Sequence, residues 1–340
     1  MTGVLHVRSA GPSLTLQDLG RSGFLAQGLA PGGAADRTAL YEGAALLGQS
    51  PDLAAIEMVG VGGTFESSID TVIALTGAPM AASIEGTPVV WNASHVLPAG
   101  APLVIGGASM GAYGYLTVAG GINADVVMGA RSAHLKAGVG KALAAGDALP
   151  IATPKAVRSG MKIAQDNRFS GGTINVLSSL QTHLFSQETQ DRFVETEFKR
   201  DARGNRQGVR MDSAGEGFFV DGGLSIVSEV ILTGDIQITG EGDPYVLMCE
   251  CQTTGGYPRI GTVLPSDLPR VAQAPVGTPL RFRFIDRAEA IALETRARAE
   301  LQNLGKKVEP LVRNLADISD LLSYQLVGGA VSALADPYDD

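Results

Sequence analysis

The 44 glycines of this 340-residue chain recur along its whole length and divide it into short segments. Between them lie runs rich in Val, Ile, Leu, Thr and Tyr, such as Thr71 to Leu75, Pro102 to Ile105 and Tyr113 to Val118. Such punctuation reads as strands joined by tight turns, because Gly supplies the positive φ that turns need and weakens helix interiors. Turn clusters at Val59-Gly60-Val61-Gly62-Gly63, Glu85-Gly86-Thr87-Pro88 and Ala145-Gly146-Asp147 are spaced as in a sandwich or barrel. A doubly wound α/β sheet needs a helix between successive strands, and those patterns are missing. The fold class is mainly β.

The length exceeds the roughly 250 to 300 residues at which one core usually stops growing, so two domains are expected. The first, an N-terminal β-barrel domain, runs over residues 1–152. One helix interrupts it: Asp36 is a good N-cap, Leu40, Ala44 and Leu47 recur at helical spacing, and Gly48 can end it. A polar, locally basic linker follows at 153–172. A second β-barrel domain covers 173–286, with strands at Thr173 to Leu177, Ser225 to Val230, Ile236 to Ile238, Tyr245 to Met248 and Leu280 to Ile285, and a helical insertion around Gln187 to Phe198. Residues 287–335 read as a helical hairpin. Leu293, Ala297, Leu301 and Leu304 form one stripe, Gly305 is a stop, and Leu311, Leu315, Ile318 and Leu322 form the other. Packing on the chain's own core is the usual fate of such faces, with a partner as the alternative.

A formal charge of -9 and a pI near 5.0 argue against nucleic acid and anionic membranes as partners, since both reward clustered Lys and Arg. No stretch approaches the roughly 20 apolar residues of a membrane helix, and the start MTGVLHVRSAGPS lacks a signal-peptide apolar region, which leaves the cytoplasm as the expected location. The two cysteines, Cys249 and Cys251, face the same way if they lie on a strand, which fits a reducing compartment. The four histidines are scattered, so no metal site is expected. Gly-x-Ser-x-Gly, Walker A and His-Glu-x-x-His motifs are absent, and the chain does not read as a self-sufficient hydrolase or kinase of those types.

Five segments carry groups suited to chemistry. In Gln252-Thr253-Thr254-Gly255-Gly256-Tyr257-Pro258, the Gly pair lets backbone N–H groups approach an oxyanion, while Gln252, Thr253, Thr254 and Tyr257 add polar side chains. The alternative is a turn with Gly chosen only for positive φ. Gln17-Asp18-Leu19-Gly20-Arg21 places an acid and a base at the end of a strand, either to polarise a substrate or to close the turn as an ion pair. Gly32 and Gly33 precede the Asp36 cap and offer free N–H groups to an anion, or simply lead into the cap. Arg206 and Arg210 are four apart, a spacing that shares one strand face and could hold a carboxylate or phosphate bidentately; two exposed arginines are the alternative. Gly129-Ala130-Arg131-Ser132-Ala133-His134 offers a polar rim, in which His134 alone does not make a base.

Six segments taken together, TLQDLGRSG at 15–23, PGGAADR at 31–37, VIALTGA at 72–78, YLTVAGGI at 115–122, GARS at 129–132 and QTTGGYP at 252–258, resemble the allophanate hydrolase subunit 2/5-oxoprolinase C-subunit family. The resemblance spans residues 3–285. It implies two cyclophilin-like β-barrel domains and a partner of the subunit 1/B-subunit type, with the active site where the two chains meet. It further implies ATP-dependent opening of 5-oxoproline to glutamate, ATP being bound with the partner subunits. Related members imply two alternatives: carboxyl transfer from biotin to urea, or a non-enzymatic role against a kinase-inhibitor-like subunit. Catalytic roles fall to Asp18, Arg21, Arg206 and Arg210, and substrate or anion binding to Gln17, Gly32, Gly33 and residues 252–257. The chain departs from the family pattern where Glu250-Cys251 replaces Asp-Arg, Val209 replaces Tyr and Ala133-His134 replaces a frequent Thr-Asp pair.

Overall fold

The computed structural model describes residues 3–152, 157–220 and 226–312. The chain is mainly β. Its first half builds two antiparallel sheets, one of which is extended at its edge by two short strands from later in the chain. One has six strands in the order Ala148–Ile151, Gly3–Ala10, Gly63–Ser67, Pro102–Ala108, Met80–Ile84, Thr87–Pro88. The other has seven: Leu14–Gln17, Ala55–Val59, Tyr113–Val118, Thr71–Gly77, Ala93–Leu97, Met161–Lys162 and Glu309–Pro310. Strand Gly3–Ala10 shows the period of two that a one-sided sheet demands, with Leu5 and Val7 buried and Arg8 exposed. These side chains join Leu14, Ile56, Phe65 and Leu116 in one core drawn from both sheets.

Helix α1 (Arg37–Leu47) lies on the other face of the seven-stranded sheet, so Tyr113–Val118 is buried at every position. Its ends follow the sequence closely. Asp36 accepts a hydrogen bond from Ala39 N at 3.3 Å, and Gly48 adopts φ 70°, the left-handed conformation that closes a helix without a Cβ penalty.

In the second half, seven strands close a barrel: Gly172–Leu177, Arg259–Val263, Asp235–Ile238, Pro244–Leu247, Gly208–Asp212, Phe198–Gly204 and Pro279–Phe284. Helix α2 (Gln187–Glu195) brings Phe193 onto a cluster of Phe198, Phe218 and Phe282, with the Phe193 and Phe282 rings stacked at 5.0 Å. It stops at Glu195, short of Phe198, because Phe198 pairs with Leu280 in the barrel. Of the strand expected from Ser225 to Val230, only Glu229–Val230 forms among the described residues, paired with Thr254–Gly255 in a two-stranded ribbon outside the barrel. A short helix, α3 (Leu268–Gln273), carries no periodic signal in the sequence, since six residues are too few to display a helical period.

Helix α4 (Arg287–Gln302) starts at the Asp286 cap and ends at Asn303, ahead of Gly305, because Leu304–Lys307 tighten into a 3-10 turn. Leu293 packs beside Leu264 and Ile285, and Leu304 beside Leu46, Leu47 and Ile163, so this arm covers the chain's own core. The second arm of the expected hairpin lies outside the described residues from 313 onward; before it, Glu309–Pro310 pairs as a strand with Met161–Lys162. No helix among the described residues is long and apolar enough to cross a membrane.

The halves meet through a shared apolar cluster that includes Ala35, Leu40 and Tyr115 from the first and Val209, Val246 and Met248 from the second. Two buried polar ties reinforce it. Gln273 of α3 donates to Asp36 Oδ2 at 2.8 Å and to Tyr113 O at 2.7 Å, and accepts from Ala112 N and Tyr113 N. Arg168 grips Glu42 with both Nη atoms and Asp36 Oδ2 with Nε.

Candidate active site

Where the two halves meet, the segment 17–33 of the first half and the turn after Pro244–Leu247 of the second enclose a buried polar cluster. Asp18, at the end of the strand Leu14–Gln17, is almost fully buried and spends both carboxylate oxygens on backbone: Oδ1 accepts from Gly20 N at 2.8 Å and Oδ2 from Arg131 N at 2.6 Å. It forms no ion pair with Arg21, whose side chain turns to the loop at 127–132, donating through Nη2 to Ser132 O and through Nε to Val127 O at 3.5 Å. Arg21 Nη1 is buried without a partner. Gln17 donates to Thr15 Oγ1 and Ala133 O, which leaves its Oε1 unpartnered.

Gly32 and Gly33, both at positive φ, press this loop against its neighbours. A Cβ on Gly33 would stand 2.7 Å from Gly20 N, so no other residue fits. A Cβ on Gly32 would stand 3.4 Å from Arg21 Nη1 and 3.5 Å from His134 Cδ2, so two polar side chains converge on that α-carbon. Gly32 N is not free for an anion, since it donates to Cys249 O at 3.0 Å.

His134 completes the cluster. Burial pulls its imidazole below the usual range, with Glu250 opposing, so the ring is neutral at neutral pH. Nδ1 accepts from Ala137 N at 3.3 Å, which places the proton on Nε2, and that atom is buried without a partner. The 3.9 Å separation of Nδ1 from Glu250 Oε2 is therefore a close approach rather than an ion pair. Burial likewise pulls the Arg21 guanidinium down, opposed by Asp18 and Glu250.

Arg206 forms the far wall. It sits in the turn between Phe198–Gly204 and Gly208–Asp212, and its guanidinium donates to Glu250 Oε1 at 2.6 Å, to Gly33 O at 2.6 Å and to Glu57 Oε1. Glu57 Oε2 in turn accepts from Tyr115 Oη at 2.7 Å and Ala35 N at 2.8 Å. Burial works against the Arg206 charge, but Cys249, Glu57 and Glu250 outweigh it and hold the guanidinium well above its ordinary value. Arg210 is elsewhere: it pairs with Asp243 and Asp201 on the barrel. The expected two-arginine anion clamp is not formed, because a turn rather than continuous strand separates the pair and each guanidinium is spent on carboxylates of its own.

The Gln252–Tyr257 segment also differs from a glycine nest. Gly255 and Gly256 have ordinary negative φ, and Thr254–Gly255 is extended in the ribbon with Glu229–Val230. Gly255 instead leaves room for the Gln237 amide, since a Cβ would stand 2.6 Å from Gln237 Nε2 and the amide would have to shift. Thr253 is buried and its carbonyl accepts from Ile231 N, while Thr254 is exposed. Only the ends of the segment, Gln252 and Tyr257, border an open cavity of about 580 Å³ that Asn205, Gln207, Gln237 and Tyr245 complete. The cysteines lie in the turn after Pro244–Leu247 rather than on a strand, and burial pushes both thiols up to about 11, which keeps them unreactive.

Glu57, Ser132, His134 and Glu250 thus join Gln17, Asp18, Arg21, Gly32, Gly33 and Arg206. One sequence signal pointed to Glu57: it is the single charge in the apolar strand Ala55-Ile56-Glu57-Met58-Val59. Among the described residues no group of three metal-ligating side chains occurs.

The family model for the carboxyltransferase domain, subdomain A and B, matches residues 27–284. The chain belongs to this family. Within the carboxyltransferase-domain family it is 34% identical to the C subunit of 5-oxoprolinase from Escherichia coli K12 over 294 residues, which are 85% of this chain and 93% of that protein. The crystal structure of TTHA0988 superposes with a TM-score of 0.76 at 28% identity, over 83% of this chain and 56% of that one. The K. lactis urea amidolyase shares the fold, with a TM-score of 0.80 at 22% identity over 92% of this chain, which spans only 21% of that larger protein. The chain therefore matches nearly all of the Escherichia coli protein, about half of TTHA0988 and a fifth of urea amidolyase.

Proposed function

We propose that this protein is the C subunit of an ATP-dependent 5-oxoprolinase that works with a B-subunit partner and opens the cyclic amide of 5-oxoproline to glutamate. The observation that carries the reading is the likeness in sequence and extent to the Escherichia coli C subunit. The geometry supplies a role for the chain. Opening a lactam adds water across its C–N bond, and negative charge develops on the amide oxygen before the nitrogen leaves. A buried guanidinium N–H and a neutral imidazole N–H, both without partners and both on side chains that approach Gly32, are suited to that charge, and in a dry site each donor is worth far more than in water. Both groups are enclosed within this chain, so the reading requires the partner to open or complete the site, and the isolated chain to be nearly inactive.

Coexpression with homologues of the A and B subunits of that enzyme, followed by measurement of glutamate formed from 5-oxoproline and ATP, tests this. Turnover should depend on the chain, and R21Q or H134L should lower kcat by about 10²-fold while the complex still assembles. Glutamate formation no higher than in the absence of the chain would sink the reading. The carboxyltransferase name of the family favours one second reading, transfer of a carboxyl group from biotin to an amide. It predicts that the purified pair decarboxylates free carboxybiotin only when its amide substrate is present, without consuming ATP.

A further inference from the structure

Beside the 127–133 segment lies a cavity of about 390 Å³, within the range of small-molecule sites. Leu16, Val139, Leu143 and Leu149 supply its apolar wall, and Arg131 and Ser132 line it together with Asn123, Asp125 and Lys141. The Ser132 hydroxyl is buried and has no hydrogen-bond partner. Arg131 is braced rather than neutralised: Nε donates to Ala124 O at 3.0 Å and Nη2 to Asn123 Oδ1 at 3.3 Å, while Nη1 donates to nothing in the described chain. No carboxylate lies within ion-pair distance of its guanidinium among the described residues, unlike Arg8, Arg168, Arg206, Arg210 and Arg259, which are all paired. Of the other charges at the mouth, Lys141 is paired with Asp147 and Asp125 is exposed to solvent.

A pre-positioned cation without a counter-charge, an unsatisfied hydroxyl and apolar walls describe one kind of ligand. We propose that this cavity is a binding site for a small monocarboxylate with an apolar body, its carboxylate meeting Arg131 and Ser132 and its hydrocarbon part lying on the leucines. Bracing by two acceptors lowers the entropy lost when the guanidinium meets its ligand, and a charge-assisted hydrogen bond is about twice as strong as a neutral one. Neither Arg21 nor His134 lines this cavity, and the assignment does not depend on the reaction proposed above.

Titration calorimetry on the full chain, without nucleotide or partner, tests it with cyclopentanecarboxylate and its uncharged carboxamide as probes. The carboxylate should bind one to one, and the carboxamide about tenfold or more weakly. R131Q should weaken the carboxylate by about tenfold and leave the carboxamide unchanged, while A148W, at an exposed rim position, should abolish both. Absence of carboxylate binding to the native chain, or equal binding of the two probes, would overturn the assignment; so would R131Q that folds, by its circular dichroism melt, and binds like the native chain. The comparison of the two probes on the native chain stands even if R131Q fails to fold.

Discussion

Arg206 shows how a single side chain can decide whether two halves of a chain form one site. Its guanidinium reaches Glu57 across 149 positions of sequence and Glu250 across 44, and closes on Gly33 O, all away from water. The attraction of such a triad largely repays the cost of drying its charges, so its net worth is small, but removing one member leaves the others buried and unpaired. R206M should therefore cost about 3–5 kcal/mol in chemical denaturation. Adding E57M and E250L should recover part of that loss, a sign that the penalty lies in the abandoned carboxylates. The glycine, acid and base residues of segment 17–33 were legible, because Gly-Gly ahead of a helix cap and an Asp-x-x-Arg turn are local patterns. Glu250 was not, and His134 was legible only as part of a polar rim, since their significance comes from Arg206 and Arg21, which no local pattern brings near.

At the scale of elements, α1 was readable almost to the residue, because an Asp cap, a helical apolar spacing and a closing Gly are all local. Gly43, in its middle, has a tertiary cause. A Cβ there would stand 2.4 Å from Thr117 Oγ1 on the buried strand beneath, and Thr, β-branched and held in a sheet, has little room to yield. Alanine favours a helix over glycine by about 1 kcal/mol, whereas overpacking a core costs about 1–3 kcal/mol, so G43A should destabilise by up to about 2 kcal/mol. The double variant G43A/T117A should regain that loss or exceed the native stability in the same melts. The ribbon between Glu229–Val230 and Thr254–Gly255 is the opposite case: turn chemistry suggested positive φ at the Gly pair, but pairing with a distant strand drew the backbone extended.

Across the whole molecule, the tie made by Arg168 sets one guanidinium against three carboxylates, Asp36, Glu42 and Asp166. Burial pushes Glu42 up to about 7, with Arg168 opposing and the two other acids adding to the rise. A carboxyl raised on folding binds its proton more tightly in the native state. The stability it lends is full below the usual carboxyl range near 4.5 and is lost as pH climbs toward 7. E42Q should flatten that decline, by an amount on the order of a few kcal/mol, in denaturation curves recorded between pH 4.5 and 7.5. A native profile that does not fall over this interval would show that Arg168 holds Glu42 ionised throughout.

What the amino-acid sequence determined by itself was whatever depends on neighbours along the chain. This includes strands between glycines, the α1 caps, the mainly β class and a family resemblance carried by six local motifs. Only the tertiary structure decided which polar groups share a dry site and which are spent elsewhere. Arg210 and Arg206, four residues apart, went to different networks, while His134 came from a distant loop to meet Arg21 and Gly32 of segment 17–33. The reason is physical: a buried charge or donor must find a partner wherever the fold brings one, and sheet pairing sets that choice over distances the local sequence does not encode.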